Sequence, residues 1–108
     1  MNGFEEEIKE FTDEIKATLI YHNYKTKLSV LKENDDLWNQ VREYRNKKLE
    51  FQNNTSPEEL FDRYENFEKN YEYLTKNPVV KDFLEAELDL CRLVQEISQS
   101  IAEAIDFE

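Results

Sequence analysis

Apolar residues recur every three or four positions along almost the whole chain, which is the pattern typical of amphipathic helices. A first helix is predicted from apolar residues on one face: Phe4, Ile8, Phe11, Ile15 and Leu19. The phase is disturbed around residues 21–24, and a short second helix is predicted to follow with Tyr24, Leu28 and Leu31 on one face. The first third of the chain is therefore expected to contain two helices.

Capping residues predict where the later helices begin. Asn34-Asp35-Asp36 is a run of N-cap formers, so a third helix is predicted there, with Leu37, Val41, Tyr44 and Phe51 on its apolar face. Ser56, Pro57 and Glu59 have the spacing of a capping box, with proline at the first helical position. A fourth helix is predicted to carry Leu60, Tyr64, Phe67, Tyr71 and Leu74 and to end before Asn77-Pro78, where the last helix opens.

The last helix has the most regular apolar pattern, a seam with alternating spacings of three and four. A sustained 3.5-residue repeat is typical of a coiled coil. We predict an oligomer interface formed by Val80, Phe83, Glu87, Leu90, Val94, Ile97 and Ile101. A helix of about 28 residues is about 42 Å long, whereas a compact chain of this size is about 34 Å across. A second copy of the chain is the expected cover, and Glu87 is either an interfacial residue that fixes register or a surface residue.

Composition supports an all-α fold, because one Gly and two Pro in 108 residues leave few tight turns for a sheet. We predict a single helical domain over residues 1–108, built as an antiparallel helical hairpin or bundle of about four to five helices with a long C-terminal helix. The single Cys91 permits no internal disulfide. We expect a cytoplasmic protein, because the N-terminus lacks a basic start and no apolar run is long enough for a membrane.

The net charge of −11 argues against direct nucleic-acid binding. Residues 1–56 carry a net charge of −2 and residues 57–108 a net charge of −9. One stretch is locally positive, with bases at Arg42, Arg45, Lys47 and Lys48. These charges are expected to be solvated helix faces. The alternatives are contact with an acidic partner, including the C-terminal half of a second copy, and contact with RNA.

The residues able to carry chemistry form no recognised catalytic or metal-binding arrangement. His22 is the only histidine, and either a surface position or a position at a helix junction is expected for it. Cys91 is expected to be buried in the apolar stripe of the last helix as a small hydrophobe. Asp82, Glu85 and Asp89 share an outward face, but the chain has no Glu-x-x-His pair for a di-metal site. We therefore predict no catalytic residue, no metal and no cofactor.

The run from Asn77 to Glu87, N-P-V-V-K-D-F-L-E-A-E, resembles the C-terminal signature of the YlbF/YheA/YmcA family of small all-helical bacterial proteins, found mainly in Firmicutes. Leu90, Leu93, Glu96-Ile97 and Ile101 continue the resemblance, which extends as a pattern over the whole chain and includes Tyr24. It implies a dimeric protein without enzymatic activity. Some members regulate competence, biofilm formation and sporulation in a multi-protein complex that influences RNA processing by RNase Y. Cysteines of some members are linked to iron–sulfur binding, but Cys91 alone does not support a cluster here.

We therefore predict a non-enzymatic cytoplasmic regulatory and protein-interaction module. Its expected partners are further copies of itself, as a homodimer or higher homo-oligomer, and other regulatory proteins. Direct nucleic-acid binding and membrane binding are not expected. The alternatives are an RNA-contacting accessory and a ligand-binding helical bundle, the latter requiring a polar pocket among the helices.

Overall fold

The computed structural model describes residues 1–107, and within them all regular secondary structure is helical. The helices are α1 (Glu5–Lys16), α2 (Leu19–Lys32), α3 (Asp35–Asn54), α4 (Pro57–Asn70), α5 (Glu72–Thr75) and α6 (Pro78–Ile105). The predicted all-α fold with a long C-terminal helix is thus confirmed. With 28 residues, α6 is about 42 Å long.

The break between α1 and α2 lies earlier than the sequence pattern predicted. It falls at Ala17 and Thr18 and not around residues 21–24, so Leu19 opens α2 and does not close α1. The hydroxyl of Thr18 donates to the carbonyl of Ile15 at 2.7 Å and accepts from the backbone N–H of Tyr21 at 3.2 Å. A threonine hydroxyl that bonds to backbone groups on both sides offers the chain an alternative to a continuous helix.

Side-chain caps begin α3 and α4 as predicted. The amide oxygen of Asn34 accepts a hydrogen bond from the backbone N–H of Leu37 at 3.1 Å. The hydroxyl of Ser56 accepts one from the backbone N–H of Glu59 at 3.3 Å, and Pro57 occupies the first turn. Each bond satisfies a donor that a helix N-terminus leaves without an intrahelical partner.

The predicted fourth helix is divided in two at Tyr71. This residue ends α4 with φ −109° and ψ 11°, and the four-residue α5 follows at once. The ring of Tyr71 lies 5.1 Å from the ring of Tyr44 and 5.1 Å from the ring of Phe67. Aromatic packing therefore accompanies the break, and residues 1–107 form six helices where the pattern predicted about four to five.

The chain divides into two compact units. Unit 1 consists of residues 1–28 and the chain from Phe83 onward, and unit 2 consists of residues 29–82. The buried apolar side chains of unit 2 are Leu31, Val41, Tyr44, Leu74 and Val80. In unit 1 they are Phe83 and Ala86, and the Phe83 ring lies 5.8 Å from that of Tyr24. The single domain over residues 1–108 stays a prediction.

Candidate interaction surfaces

The seam of α6 is closed at its start and open towards its end. Of the seven residues predicted to form an oligomer interface, Val80 and Phe83 are fully buried within the chain. Glu87, Leu90 and Ile97 are half-buried. Val94 is 47% exposed and Ile101 is 54% exposed. Because a fully buried side chain has no surface left to offer, Val80 and Phe83 belong to the core in this conformation, and only the later residues are available to a partner.

The available part forms one surface of unit 1, which we call the open α6 face and define as Val94, Ile101 and Ile105. These three branched side chains lie on one side of the helix and are all exposed. A shallow groove of about 420 Å³ lies beside them, with Phe11 of α1 opposite Leu93, Ile97 and Ala104 of α6. Apolar residues that face water along a helix mark a surface for protein contact when they are contiguous.

Exposed apolar residues continue onto α1. Phe4 and Ile8, which lie two turns and one turn before Phe11, are largely solvent-exposed, so the apolar face of α1 is only partly covered. The sequence pattern correctly identified α1 as an amphipathic helix. In the structure, the other helices of the chain cover its apolar face only in part. Unit 1 therefore presents apolar surface from α1 as well as from α6.

Cys91 corrects one of the predictions from the sequence. Its thiol is free and exposed, not buried, because this stretch of α6 is not covered by the rest of the chain. His22 is exposed, as one of its two expected positions required, but it lies inside α2 and not at a helix junction. Its ring meets that of Tyr21 edge-on at 6.5 Å. Asp82, Glu85 and Asp89 are all exposed, as expected for a solvated face.

A polar cluster joins α3 and α4 within unit 2, and the sequence analysis did not find it. The hydroxyl of Tyr44 donates to the Glu68 carboxylate, with its oxygen 2.9 Å from Oε1 and 3.0 Å from Oε2. Lys48 Nζ lies 3.5 Å from the same carboxylate. The ammonium also lies 5.7 Å from the ring centre of Tyr44 and 5.6 Å from that of Tyr64. The available signal was Lys48 itself, one helical turn after Tyr44, where the apolar stripe of α3 is interrupted.

The environment of this cluster changes its acid–base properties. Burial and the hydrogen bond to Glu68 raise the pKa of Tyr44 from 10.0 to about 12, while the charge of Lys48 works in the opposite direction. Burial lowers the pKa of Lys48, but the hydrogen bond with Tyr64 and the negative charge of Glu68 help to outweigh it, so the pKa is raised. Both shifts favour the protonated forms, in which the three groups attract one another.

Aromatic rings extend from this cluster to the floor of a groove in unit 2. Phe51 and Phe67 stack with ring centres 4.8 Å apart, and Tyr44 stacks on Phe67 at 6.2 Å. The groove has a volume of about 700 Å³, and Phe51, Phe67 and Tyr71 line it together with Lys47 and Arg63. Lys47 pairs with Glu50 at 3.7 Å and Arg63 with Glu59 at 3.6 Å. Oppositely charged neighbours thus accompany the bases at the rim.

The sequence model of one protein family, described as control of competence regulator ComK, YlbF/YmcA, matches residues 4–106. The chain belongs to the YlbF/YmcA family. The resemblance carried by the Asn77–Glu87 run is thereby confirmed. Comparison with curated proteins gave no match, and comparison with solved structures gave none either. Membership places the chain in a family with a regulatory role.

The residues that carry the YlbF/YmcA resemblance serve the start of α6. The side-chain oxygen of Asn77 accepts from the backbone N–H of Val79 at 3.0 Å and of Val80 at 3.4 Å, which caps the helix, and Pro78 opens it. Phe83 and Ala86 of the same run are buried, and Phe83 packs against Tyr24. The most recognisable residues of this YlbF/YmcA chain therefore cap α6 and supply three of its buried side chains, Val80, Phe83 and Ala86.

The basic stretch of α3 is partly neutralised by the chain itself. Lys47 and Lys48 have acidic partners in Glu50 and Glu68, whereas Arg42 is exposed and Arg45 is half-buried. Within residues 1–107, no group of three or more His, Cys, Asp or Glu side chains is arranged to hold a metal ion. Over the same residues, no helix combines the length and apolar character needed to cross a bilayer.

Proposed function

We propose that this chain is a non-enzymatic regulatory protein that acts by binding other proteins, and that it self-associates through the open α6 face. Membership of a family described by control of the competence regulator ComK supports the regulatory role. The absence of enzymatic activity, the dimer and the cytoplasmic location are parts of this proposal. The family resemblance implies a dimer without enzymatic activity. The cytoplasmic location is proposed because a chain with a single cysteine has no internal disulfide of the kind that oxidising compartments favour.

One observation carries the self-association, namely that burial fades along the seam of α6. The chain covers the seam fully at Phe83 and leaves about half of Ile101 in water. A seam with a 3.5-residue repeat continues through Val94, Ile97 and Ile101 as it would in a helix that meets a partner along its whole length. Association with a second copy would remove the exposed branched side chains from water, and this transfer is favourable.

The regulatory output is proposed to run through protein partners and to reach RNA indirectly. Family members that regulate competence, biofilm formation and sporulation act in a complex that influences RNA processing by RNase Y, and we assign this chain to that kind of role. A net charge of −11 gives little electrostatic drive towards a phosphate backbone. The pairing of Lys47 with Glu50 and of Lys48 with Glu68 reduces the positive charge available to RNA further.

Sedimentation at micromolar concentration tests the self-association. The wild-type protein should have at least twice the 13.1 kDa of one chain. Ile101→Asp should give a folded monomer, because a charge on the open α6 face would lose water without gaining a partner. Leu88→Asp is the matched control: Leu88 is also about half exposed on α6, but it lies about 140° around the helix axis from Ile101. A monomeric wild type, or equal loss of mass in both variants, would contradict the proposal.

A deletion strain tests the regulatory role. Loss of the gene should change the ends or abundance of particular transcripts, and the wild-type gene should restore them. The purified protein should neither cleave RNA nor bind it tightly at physiological salt, because the expected route is through other proteins. Tight, salt-resistant binding by the pure protein would favour the RNA-contacting alternative, and an unchanged transcript profile would reject the RNA-linked role.

A further inference from the structure

Two large apolar side chains near the turn between α3 and α4 are exposed to solvent. Phe61 of α4 is 88% exposed and Leu49 of α3 is 58% exposed. Phe61 directly follows Leu60, which belongs to the inward face of α4, so the phenyl ring falls outside that face. A single exposed apolar residue is ordinary on a protein surface, so these two side chains indicate a site only together with a groove beside them.

A groove lies beside Phe61 within unit 2. It has a volume of about 500 Å³ and is lined by Gln52, Pro57, Leu60, Phe61, Tyr64 and Glu65. We call it the α3–α4 groove. Leu49 lies one helical turn before Gln52, on the same side of α3. The walls are thus mainly apolar, with Phe61 as a projecting edge against which an inserted apolar side chain would pack.

Carboxylates predominate around the α3–α4 groove. The nearest base is Lys48, whose ammonium lies 5.6 Å from the ring of Tyr64 and is paired with Glu68. Glu58 and Glu65 lie three residues before and four residues after Phe61, so they share its side of α4. Asp62 adjoins Phe61, and all three carboxylates are exposed. By contrast, Glu59 is paired with Arg63 within the helix. Over its whole length α4 carries five acids and two bases, so an apolar groove with an acidic surround is the chemical character of this surface.

The carboxylates around the groove favour some binding partners over others. RNA and anionic lipid headgroups would meet carboxylates of the same sign. A symmetric contact with the same groove of a second copy would also bring like charges together, because such a contact presents one patch to itself. A segment with apolar side chains on one face and Lys or Arg beside them satisfies both the apolar groove and its carboxylates.

We propose that the α3–α4 groove binds a basic amphipathic helix of a different protein. An apolar side chain of that helix inserts beside Phe61, and its Lys or Arg side chains approach Glu58 and Glu65. This inference rests on the proposed role as a protein-binding regulator and specifies the chemistry of a partner. It uses residues of unit 2, whereas the open α6 face belongs to unit 1, so the two binding activities are separable by mutation.

The test uses a short, labelled helical peptide that has leucines along one face and lysines elsewhere, and a matched peptide in which glutamate replaces every lysine. Fluorescence anisotropy with the full chain should show binding of the lysine peptide and none of the glutamate peptide. Phe61→Ser should weaken the binding by at least about tenfold, as expected for an aromatic anchor. Tyr73→Ser is the matched control, because Tyr73 is also exposed but lies outside the groove, and it should bind like the wild type.

A second pair of variants separates a specific site from general attraction to an acidic protein. Glu58→Gln with Glu65→Gln should weaken binding of the lysine peptide and flatten its dependence on salt. Glu6→Gln with Glu10→Gln removes the same charge from exposed positions of α1 and should leave the affinity near that of the wild type. Equal weakening by both double variants would overturn the proposal, because it would show attraction to net charge alone.

Three further results would also overturn it: equal binding of the lysine peptide by Phe61→Ser and wild type, equal binding of the two peptides, and loss of self-association in Phe61→Ser, which would assign the groove to a second copy. Sedimentation and transcript profiles of the wild type report on the proposed function separately. If both behave as proposed while the peptide does not bind, the inference fails alone. If both fail, the proposed function fails, whatever the peptide does.

Discussion

The hydroxyl of Tyr44 donates to both oxygens of the Glu68 carboxylate, at 2.9 and 3.0 Å, and this bond joins α3 to α4. Tyr44 is one of the buried residues of unit 2, while Glu68 remains partly exposed. Lys48 approaches the same carboxylate from one turn further along α3. The contact therefore secures a helix pair with a charge-assisted bond at the edge of its apolar packing.

Removal of this hydroxyl should destabilise the protein while leaving its fold intact. Tyr44→Phe keeps the ring that stacks on Phe67 but deletes the donor, so the Glu68 carboxylate loses a buried partner. We expect a loss of about 1.5–3 kcal/mol in the free energy of unfolding, the range for a hydrogen bond to a charged group. Urea denaturation measures it. Tyr73→Phe at an exposed position should change nothing, and equal stability of the two variants would contradict this role for Tyr44.

The same bond should make stability fall in alkaline solution. The pKa of Tyr44 is raised from 10.0 to about 12 in the folded protein, which therefore holds this proton more tightly than the unfolded chain does. Its contribution is fully present below pH 10 and is lost as the pH rises towards 12. The raised pKa of Lys48 acts with the same sign.

Comparison with Tyr44→Phe isolates this effect from the ionisation of the other tyrosines. The difference in unfolding free energy between wild type and Tyr44→Phe should shrink between about pH 8 and about pH 11. Parallel urea denaturations at the two pH values provide the measurement. A difference that stays constant or grows would show that the pKa of Tyr44 is not raised by folding.

The start of α4 offers a test of a feature that the sequence predicted. Ser56→Ala should remove the acceptor for the backbone N–H of Glu59 and cost about 1 kcal/mol. Thermal unfolding followed by circular dichroism should show a lower midpoint with native helix content before the transition. Ser29→Ala, at an exposed position inside α2, is the control and should not destabilise, because alanine favours helix interiors. An unchanged midpoint for Ser56→Ala would remove the cap from the account of this helix.

Features of the fold that depend on neighbouring residues were predictable from the sequence, and features that depend on distant residues were not. Caps at Asn34 and Ser56 were predictable because they depend on local hydrogen bonds between residues three apart. The division at Tyr71 was not, because it accompanies ring packing against Tyr44, far away in sequence. A periodic pattern identifies the apolar face of a helix, but it does not show how much of that face the rest of the chain buries. For this reason Phe83 and Cys91 lie on one predicted stripe although the first is buried and the second exposed.

The candidate surfaces differ in predictability for the same reason. The open α6 face is part of a seam that the sequence pattern predicts. Only the structure shows that the exposed part of this seam begins after Phe83. Phe61 and Leu49 have no periodic signal, since each lies outside the apolar stripe of its helix. An aromatic residue that lies outside the apolar stripe, beside Glu58, Asp62 and Glu65, is nevertheless visible in the sequence. Such a residue does not contribute to the core, and it therefore indicates a candidate contact site on the surface.

The last prediction separates the two ends of the α6 seam. Phe83→Ala should cost about 3–5 kcal/mol, because it opens a cavity at a fully buried position and removes the ring that packs against Tyr24. Leu88→Ala, at a half-exposed position of the same helix, should stay within about 1 kcal/mol of the wild type. Chemical denaturation measures both.

If Phe83→Ala does not fold, Phe83→Leu keeps most of the volume and should cost about 1 kcal/mol. Its sedimentation should still give the mass of the wild type, because Phe83 has no surface to offer a partner. Ile101→Asp should show the opposite behaviour, with a lower mass and nearly unchanged unfolding of the single chain. A loss of mass in Phe83→Leu at full stability would mean that the interface begins earlier on α6 and that Phe83 is reached by the partner.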